Sequence, residues 1–150
     1  MSKNDVDVEQ QLSSIPMFSE LSKRQRKTLA DRASVVQHVD GHAVAVEGKG
    51  SLAMHVVLQG SAEVSKDGSR TVRTLGVGDY FGEISLIDGK PRSATVTAKG
   101  PLTTLAIPQN AVKTLMDDDP DFVRHLMLLV CARLRTAERA LDEALRSTVE

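Results

Sequence analysis

The chain has 150 residues, 41% apolar and 26% charged, which suits one soluble globular domain and is too short for two ordinary ones. Nineteen basic side chains are balanced by twenty acidic ones, for a formal net charge of -1. This balance excludes the broad positive field with which proteins bind nucleic acid or an anionic membrane through charge alone. The N-terminus lacks the apolar stretch of a signal peptide, and no window reaches the ~20 apolar residues of a membrane span. Because one cysteine, Cys131, cannot form an internal disulfide, we expect a cytoplasmic protein in which this thiol is buried and inert.

Residues 1–34 form a predicted N-terminal helical segment. Apolar residues recur at helical spacing on both sides of Pro16, which prevents one long helix. Ser22 and Gln25 then form a capping-box pattern, in which the glutamine side chain bonds back to the Ser22 backbone. We expect a helix that starts here and ends near Ser34.

Residues 35–108 change to a β pattern. Short apolar and β-branched runs alternate with glycines, and no helical pattern of 10–15 residues separates them. This is typical of an all-β sandwich or barrel and argues against a parallel α/β sheet. The predicted strands are 35–39, 43–46, 54–58, 62–64, 94–97 and 102–107.

Residues 109–150 are predicted to be helical. The acidic run 117–119 ends a short first helix, and Pro120 suits the first position of a second one, with Asp119 as its cap. No residue breaks this second helix before the terminus, so it should run about 25 residues and overhang the domain. Its predicted apolar side carries Phe122, Leu126, Leu129, Val130, Leu134, Ala137 and Leu141.

The stretch 76–96 is the most informative part of the chain, since it joins two strands yet is too apolar for a plain solvated loop. We expect a short helix that starts near Glu83 and buries Ile84, Leu86 and Ile87. The backbone N–H groups of its first turn, from Glu83 through Ile84 to Ser85, would favour an anion, and Gly82 would let a ligand approach the backbone closely.

Arg92 lies beyond this helix, directly after Pro91, which fixes the backbone beside it. A guanidinium can hold a phosphate through two parallel hydrogen bonds. Because a carboxylate would repel that phosphate, Glu83 needs another partner, such as a sugar hydroxyl. The two residues therefore favour a nucleotide monophosphate, although their spacing alone equally allows a surface ion pair on an ordinary turn.

The run FGEISLIDGKPRSATV, residues 81–96, resembles the phosphate-binding cassette of the cyclic nucleotide-binding domain family. That family includes catabolite activator proteins, regulatory subunits of cyclic-AMP-dependent kinase and cyclic-nucleotide-gated channels. The resemblance extends over residues 12–141. It implies a mainly β fold with flanking helices: an eight-stranded jelly-roll-like β-barrel with an N-terminal helical segment and a long C-terminal helix.

The resemblance also implies roles for individual residues. Glu83 would bind the ribose 2′-hydroxyl, and Arg92 the cyclic phosphate, with help from the backbone amides of Gly82 and Ala94. The Ser93 hydroxyl could donate a hydrogen bond to the phosphate, or could contact guanine as in some relatives. We therefore expect a cyclic nucleotide as ligand, with cyclic AMP favoured over cyclic GMP.

Two residues of the long helix are expected near the base. Alignment of the helix start at Pro120 with that of the family places Arg133 and Thr136 where they would meet the base as the helix closes. The alternative is that both belong to a solvated helix face, since arginines alternate with acids here. Closure of this helix would signal to a protein partner or to a second copy of the chain.

Other classes of function are less well supported. The four histidines, His38, His42, His55 and His125, are scattered, so we expect no metal. No nucleophile elbow or Walker loop is present, so we do not expect an enzyme. His55 stands where many relatives carry an aromatic residue, and it either packs at the barrel rim or makes a pH-sensitive contact.

The chain extends nine residues past Leu141, which leaves no room for a helix-turn-helix domain, so we expect no nucleic acid as partner. The remaining alternatives are a scaffold that binds no nucleotide, and a regulatory fragment of a larger channel, kinase or transcription factor.

Overall fold

The computed structural model describes residues 1–50, 53–68 and 70–149. A 3-10 turn at Lys3–Asp5 precedes helices α1 (Val8–Ser13) and α2 (Lys23–Arg32). The predicted capping box starts α2: the Gln25 amide donates to the Ser22 hydroxyl at 3.1 Å, and the Gln25 side-chain oxygen accepts from the Ser22 amide at 3.0 Å. The N-terminal helical segment is thereby confirmed.

Six antiparallel strands form one sheet in the described part of the chain. The order β1-β6-β3-β4 makes the main path, with β2 added to β6 and β5 added to β3. The strands are β1 (Ser34–His38), β2 (Ala43–Ala45), β3 (Ala53–Lys66), β4 (Arg70–Leu75), β5 (Tyr80–Phe81) and β6 (Thr95–Pro108).

Two long strands replace four predicted short ones. Gly60, read as a turn, lies inside β3 with a φ of 86°, and the register of β3 against β6 shifts between Val57 and Gln59 and again between Gln59 and Ser61. A Cβ at Gly60 would lie 2.2 Å from the carbonyl oxygen of Pro101, so the glycine allows a close approach of two strands within a bulge. The mainly β fold with flanking helices is confirmed. Eight strands and closure of the barrel are not: the described residues form six strands.

Two apolar clusters hold the domain together. The larger one joins the N-terminal helices and the C-terminal helices to one face of the sheet, and its fully buried members include Phe18, Leu12 and Ile107. The smaller one consists of strand residues, among them Val64, Phe81 and Val96. The stretch 76–96 contributes to both clusters, because Leu86 belongs to the larger one and Phe81 to the smaller one.

Helix α3 (Glu83–Asp88) is the short helix predicted in that stretch. It is bounded by Gly82 and Gly89, which both have positive φ. Leu86 is buried, but Ile84 is 49% exposed, so the expectation that Ile84 packs into the core is wrong. Residue 84 lies on the side of the first turn away from Leu86, because one helical turn takes 3.6 residues.

Helices α4 (Gln109–Asp118) and α5 (Pro120–Val149) complete the fold. The Asp119 carboxylate accepts from the amides of Asp121 and Phe122 at 3.0 and 3.3 Å, which confirms it as the cap of α5. At 30 residues α5 is longer than predicted. In the described part of the chain, no helix is long and apolar enough to cross a bilayer.

The first turns of α5, residues 120–129, pack into the core, and this part is called the root of α5. Phe122 and Leu126 are buried and Leu129 is partly buried, whereas Val130, Leu134 and Leu141 are 50–59% exposed. The predicted apolar side is therefore covered over two to three turns and not along its whole length. Cys131 is also exposed, which corrects the expectation of a buried thiol. Its apolar neighbours indicated burial, but the helix extends beyond the sheet that would have covered them.

Candidate functional site

Arg92 is fixed by hydrogen bonds of both its backbone and its side chain. Its amide donates to the Lys49 carbonyl at 2.8 Å, and its carbonyl accepts from the Gly48 amide at 2.9 Å. The residue is only 8% exposed, and its Nη2 donates to the Ala53 carbonyl at 2.5 Å. Nη1 is also buried, and it has no hydrogen-bond partner among the described residues. Since a buried, unpaired cationic donor is costly, this atom fits an anionic ligand that would complete its bonding.

Gly82 lies directly against that guanidinium. A Cβ at this position would come within 1.8 Å of Arg92 Nη1, and the φ of 90° disfavours any other residue. Glycine is therefore required here for two reasons, the backbone conformation and the space taken by Arg92. The prediction for Gly82 was a close approach of a ligand to its backbone, whereas the group that lies against it here is the Arg92 guanidinium.

Glu83 starts α3 and points toward α5. Its side chain is 14% exposed, and Oε1 accepts from Arg133 Nη1 at 3.0 Å. Burial lowers the pKa of Arg92, while the negative charge of Glu83 acts in the opposite direction. Glu83 thus supports the charge of the buried arginine and at the same time contacts the long helix.

A cavity of about 110 Å³ brings most of the predicted site residues together. Arg92 and the buried Ser85 lie on one part of its wall, and the exposed Ser93 and partly buried Ala94 follow at the start of β6. The predicted residues that line this cavity are Gly82, Glu83, Ile84, Ser85, Arg92, Ser93, Ala94 and Arg133.

Thr136 is the one predicted site residue outside this cavity. It lines a neighbouring apolar groove of about 490 Å³ along α5, and its hydroxyl donates to the Ala132 carbonyl at 3.1 Å. Glu83 and Arg133 line the cavity, this groove and a third space of about 250 Å³. The ion pair between them therefore stands where the three spaces meet.

Sequence reasoning missed several residues of the wall. Arg73 lines both the cavity around Arg92 and the third space, and it belongs to β4, a strand that was not predicted. The run RTVRTL is too polar for a recognisable core strand, and five of its six residues are exposed. The apolar members missed are Ala45, Val64, Phe81 and Val96.

Three of the four histidines, which appear scattered in the sequence, lie together behind Phe81. The Thr104 hydroxyl contacts His38 Nε2 at 3.0 Å and His55 Nδ1 at 2.9 Å, and the His55 ring stacks on Phe81 with centroids 5.2 Å apart. The His42 ring stacks on that of His38. No group of three metal-ligating side chains with suitable geometry occurs among residues 1–50, 53–68 and 70–149.

Burial lowers the pKa of His55 to about 4, and the charges of His38 and Arg92 act in the same direction. His55 is therefore neutral near pH 7. This aromatic ring at the sheet rim supports Phe81, the residue directly before Gly82.

Comparison with protein families identifies the family to which the chain belongs. The family described as the cyclic nucleotide-binding domain matches residues 35–119, more than half of the chain. The chain belongs to this family. Its members are regulatory domains and not catalytic ones, and the matched range contains the cavity residues from Ala45 to Val96.

The sequence relatives include regulatory subunits of cAMP-dependent protein kinase. The one from Yarrowia lipolytica is 40% identical over 106 residues, and the one from Schizosaccharomyces pombe is 35% identical over 114 residues. These matches cover 70% and 76% of this chain but only 28% of each relative. The chain therefore spans less than a third of the length of these curated relatives.

Solved structures show the same fold. The regulatory domain of Toxoplasma gondii PKA, crystallised with cAMP, matches with a TM-score of 0.67 at 25% identity, over 82% of this chain and 48% of that one. The N-terminal domain of a transcriptional regulator from Streptomyces coelicolor matches with a TM-score of 0.71 at 28% identity, over 87% and 94%.

Proposed function

We propose that this chain is a cyclic nucleotide sensor and not an enzyme, that its phosphate site is centred on Arg92, and that it acts in the cytoplasm. The observation that carries the proposal is the buried Nη1 of Arg92, which lies against the required glycine at position 82 and has no hydrogen-bond partner among residues 1–50, 53–68 and 70–149. A cyclic phosphate is a compact monoanion, and it would satisfy this donor inside the cavity.

The sugar would bind beside the phosphate. The Glu83 carboxylate accepts hydrogen bonds and sits within the same cavity as Arg92, so it can take a ribose hydroxyl. Ile84 and Ser85 follow in the first turn of α3, where backbone amides face a bound anion, and Ala94 would contribute its amide from the other side. Ser93 would donate its hydroxyl to the phosphate.

We favour cyclic AMP over cyclic GMP as the ligand. The kinase relatives are described as cAMP-dependent, and the Toxoplasma structure contains cAMP. Ser93 is the residue whose hydroxyl would contact a guanine base, so both nucleotides belong in the test. The alternative is a scaffold that binds neither.

The response of α5 would begin at Glu83. Arg133 now donates to the same carboxylate that a ribose hydroxyl would use, so ligand binding changes the partner of Arg133. Arg133 and Thr136 could then turn toward the base while α5 closes. The ligand shifts this equilibrium only through its higher affinity for the closed state.

The output would pass through the outer side of α5 to a protein partner or a second copy of the chain. Met127, Leu134, Leu141 and Leu145 are 57–62% exposed and follow one another at heptad-like spacing on this helix. An exposed apolar stripe of this kind is typical of an interaction surface.

Isothermal titration calorimetry with cyclic AMP and cyclic GMP tests the proposal. We expect binding by the wild-type chain and loss of at least about tenfold in affinity for Arg92→Ala, because a charge-assisted contact contributes about 1.5–3 kcal/mol. Arg70→Ala, at an exposed position of β4, serves as the control and should bind normally. Absence of heat with both nucleotides, together with an unchanged melting temperature, would favour the scaffold.

A further inference from the structure

The root of α5 is fastened to the N-terminal segment through one histidine. His125 Nδ1 lies 3.2 Å from a Glu20 carboxylate oxygen, and His125 Nε2 lies 2.8 Å from the Pro16 carbonyl oxygen. The imidazole is only 14% exposed, whereas the Glu20 side chain is 72% exposed. One ring therefore joins α5 to two points of the segment between α1 and α2.

Both ring nitrogens face groups that only accept hydrogen bonds. A neutral imidazole has one N–H donor and one nitrogen lone pair, so it can satisfy one of these acceptors while its lone pair is directed at the other. The imidazolium carries a hydrogen on each nitrogen, so it can donate to the Pro16 carbonyl and pair with the Glu20 carboxylate at the same time.

The surroundings of His125 are acidic. The small cavity beside the ring is lined by three carboxylates, from the N-terminal segment, from the junction between α4 and α5, and from α5 itself: Glu20, Asp119 and Asp121. Glu20 contacts the ring, whereas the Asp119 carboxylate accepts from the Gln25 side chain and from the amides of Asp121 and Phe122. Glu20 is therefore the charged group whose interaction depends on the proton of His125.

We infer that His125 is a proton-dependent latch between the N-terminal segment and α5. When the ring is protonated, it holds α5 through a hydrogen bond to the Pro16 carbonyl and an ion pair with Glu20. When the proton leaves, the nitrogen lone pair repels the carboxylate, and the exposed Glu20 side chain can rotate into water. A change of pH that moves this proton would therefore alter how firmly the root of α5 is attached.

The latch opens locally and does not unfold the domain. Phe18 and Phe122 are buried and stack with ring centroids 6.4 Å apart, next to the latch. This apolar contact does not depend on pH. Loss of the ion pair with Glu20 would therefore raise the frequency at which the first turns of α5 open while the core remains intact.

Hydrogen exchange of the full chain without ligand tests this inference, with nuclear magnetic resonance of the His125 ring nitrogens as a second measurement. After correction for intrinsic rates, we expect exchange over residues 120–130 to be about two- to fivefold faster at pH ~8.5 than at pH ~5.5, as for one partly exposed ion pair. The ring nitrogens should both carry protons at the lower pH.

Variants separate the latch from a general effect of pH. His125→Gln should exchange at the faster rate at both pH values, and Glu20→Gln, which removes only the exposed carboxylate, should reduce the pH dependence without disturbing the core. His42→Gln, at an exposed histidine elsewhere, should retain it. A neutral His125 ring at pH ~5.5, or an unchanged pH dependence in Glu20→Gln, would overturn the inference. Since no nucleotide is present, these outcomes are independent of the proposed ligand.

Discussion

At the scale of single residues, Gly82 offers the sharpest test of the phosphate site. Its missing side chain leaves room for Arg92 Nη1, and a Cβ there would lie 1.8 Å from that atom. We expect Gly82→Ala to displace the guanidinium and to reduce cyclic nucleotide affinity by at least about tenfold. The two parallel hydrogen bonds to phosphate require a guanidinium that is held in one orientation. Calorimetry gives the affinity.

A matched glycine separates this effect from backbone strain. Gly78 has the same φ of 90° but nothing within 4 Å of its Cβ position. Gly78→Ala should therefore lower stability by a similar amount, about 1–3 kcal/mol, while affinity stays near that of the wild type. Equal losses of affinity in both variants would mean that strain, and not contact with Arg92, explains the result.

The lowered pKa of His55 predicts that acid destabilises the fold. Its pKa is about 4 in the folded chain against an ordinary value of about 6.5, so between these pH values the unfolded chain takes up a proton that the folded chain does not. The free energy of unfolding should therefore fall as the pH is lowered through this window, by about 3 kcal/mol at most. The lowered pKa of His38 acts in the same direction.

Urea denaturation at two pH values, about 7.5 and about 5, measures this effect. In His55→Gln the loss of stability on acidification should be clearly smaller than in the wild type, whatever the stability at neutral pH. His42→Gln is the control for an exposed histidine. If His55→Gln loses as much free energy of unfolding on acidification as the wild type does, the effect belongs to other groups.

At the scale of elements, α5 is connected to the site by the ion pair between Arg133 and Glu83. We expect Arg133→Gln to weaken the transmission of ligand binding to the helix, because the glutamine cannot exchange a charged partner at Glu83. Hydrogen exchange of α5 with and without cyclic AMP measures this: the protection that ligand adds in the wild type should be reduced at least about twofold, as for loss of a partly exposed pair.

Arg135→Gln is the matched control, since Arg135 is exposed two residues further along α5 and does not line the site cavity. It should retain the full protection by ligand. If Arg133→Gln and the wild type respond alike, the pair with Glu83 is incidental to signalling.

The elements also show how far local sequence determines structure. The capping box of Ser22 and Gln25 and the cap of Asp119 were predictable because each involves neighbours three residues apart or fewer. The long strands β3 and β6 were not, since Gly60 reads as a turn until the Pro101 backbone is seen against it. Strand β4, and with it Arg73, was missed because its exposed residues give no apolar alternation.

At the scale of the whole molecule, α5 shows the same difference between features that local sequence determines and features that depend on distant residues. The cassette residues were predicted because their chemistry is concentrated in one short segment that lines one cavity. The exposure of Cys131 was not, because an apolar run on a helix does not reveal whether another element covers it. How much of a helix is covered depends on where the sheet ends, and that is set by residues far apart in the chain.

The distal half of α5 should therefore contribute little to global stability. Leu126 is the last buried residue among those described, and residues 131–148 are all exposed. We expect a chain ending at Arg133 to keep its free energy of unfolding within about 1 kcal/mol of the wild type, since exposed residues rarely contribute more. Phe122→Ala, at the buried root, should cost about 3–5 kcal/mol. Urea denaturation compares the two, and a loss above about 3 kcal/mol in the shortened chain would show that the overhanging turns belong to the cooperative core.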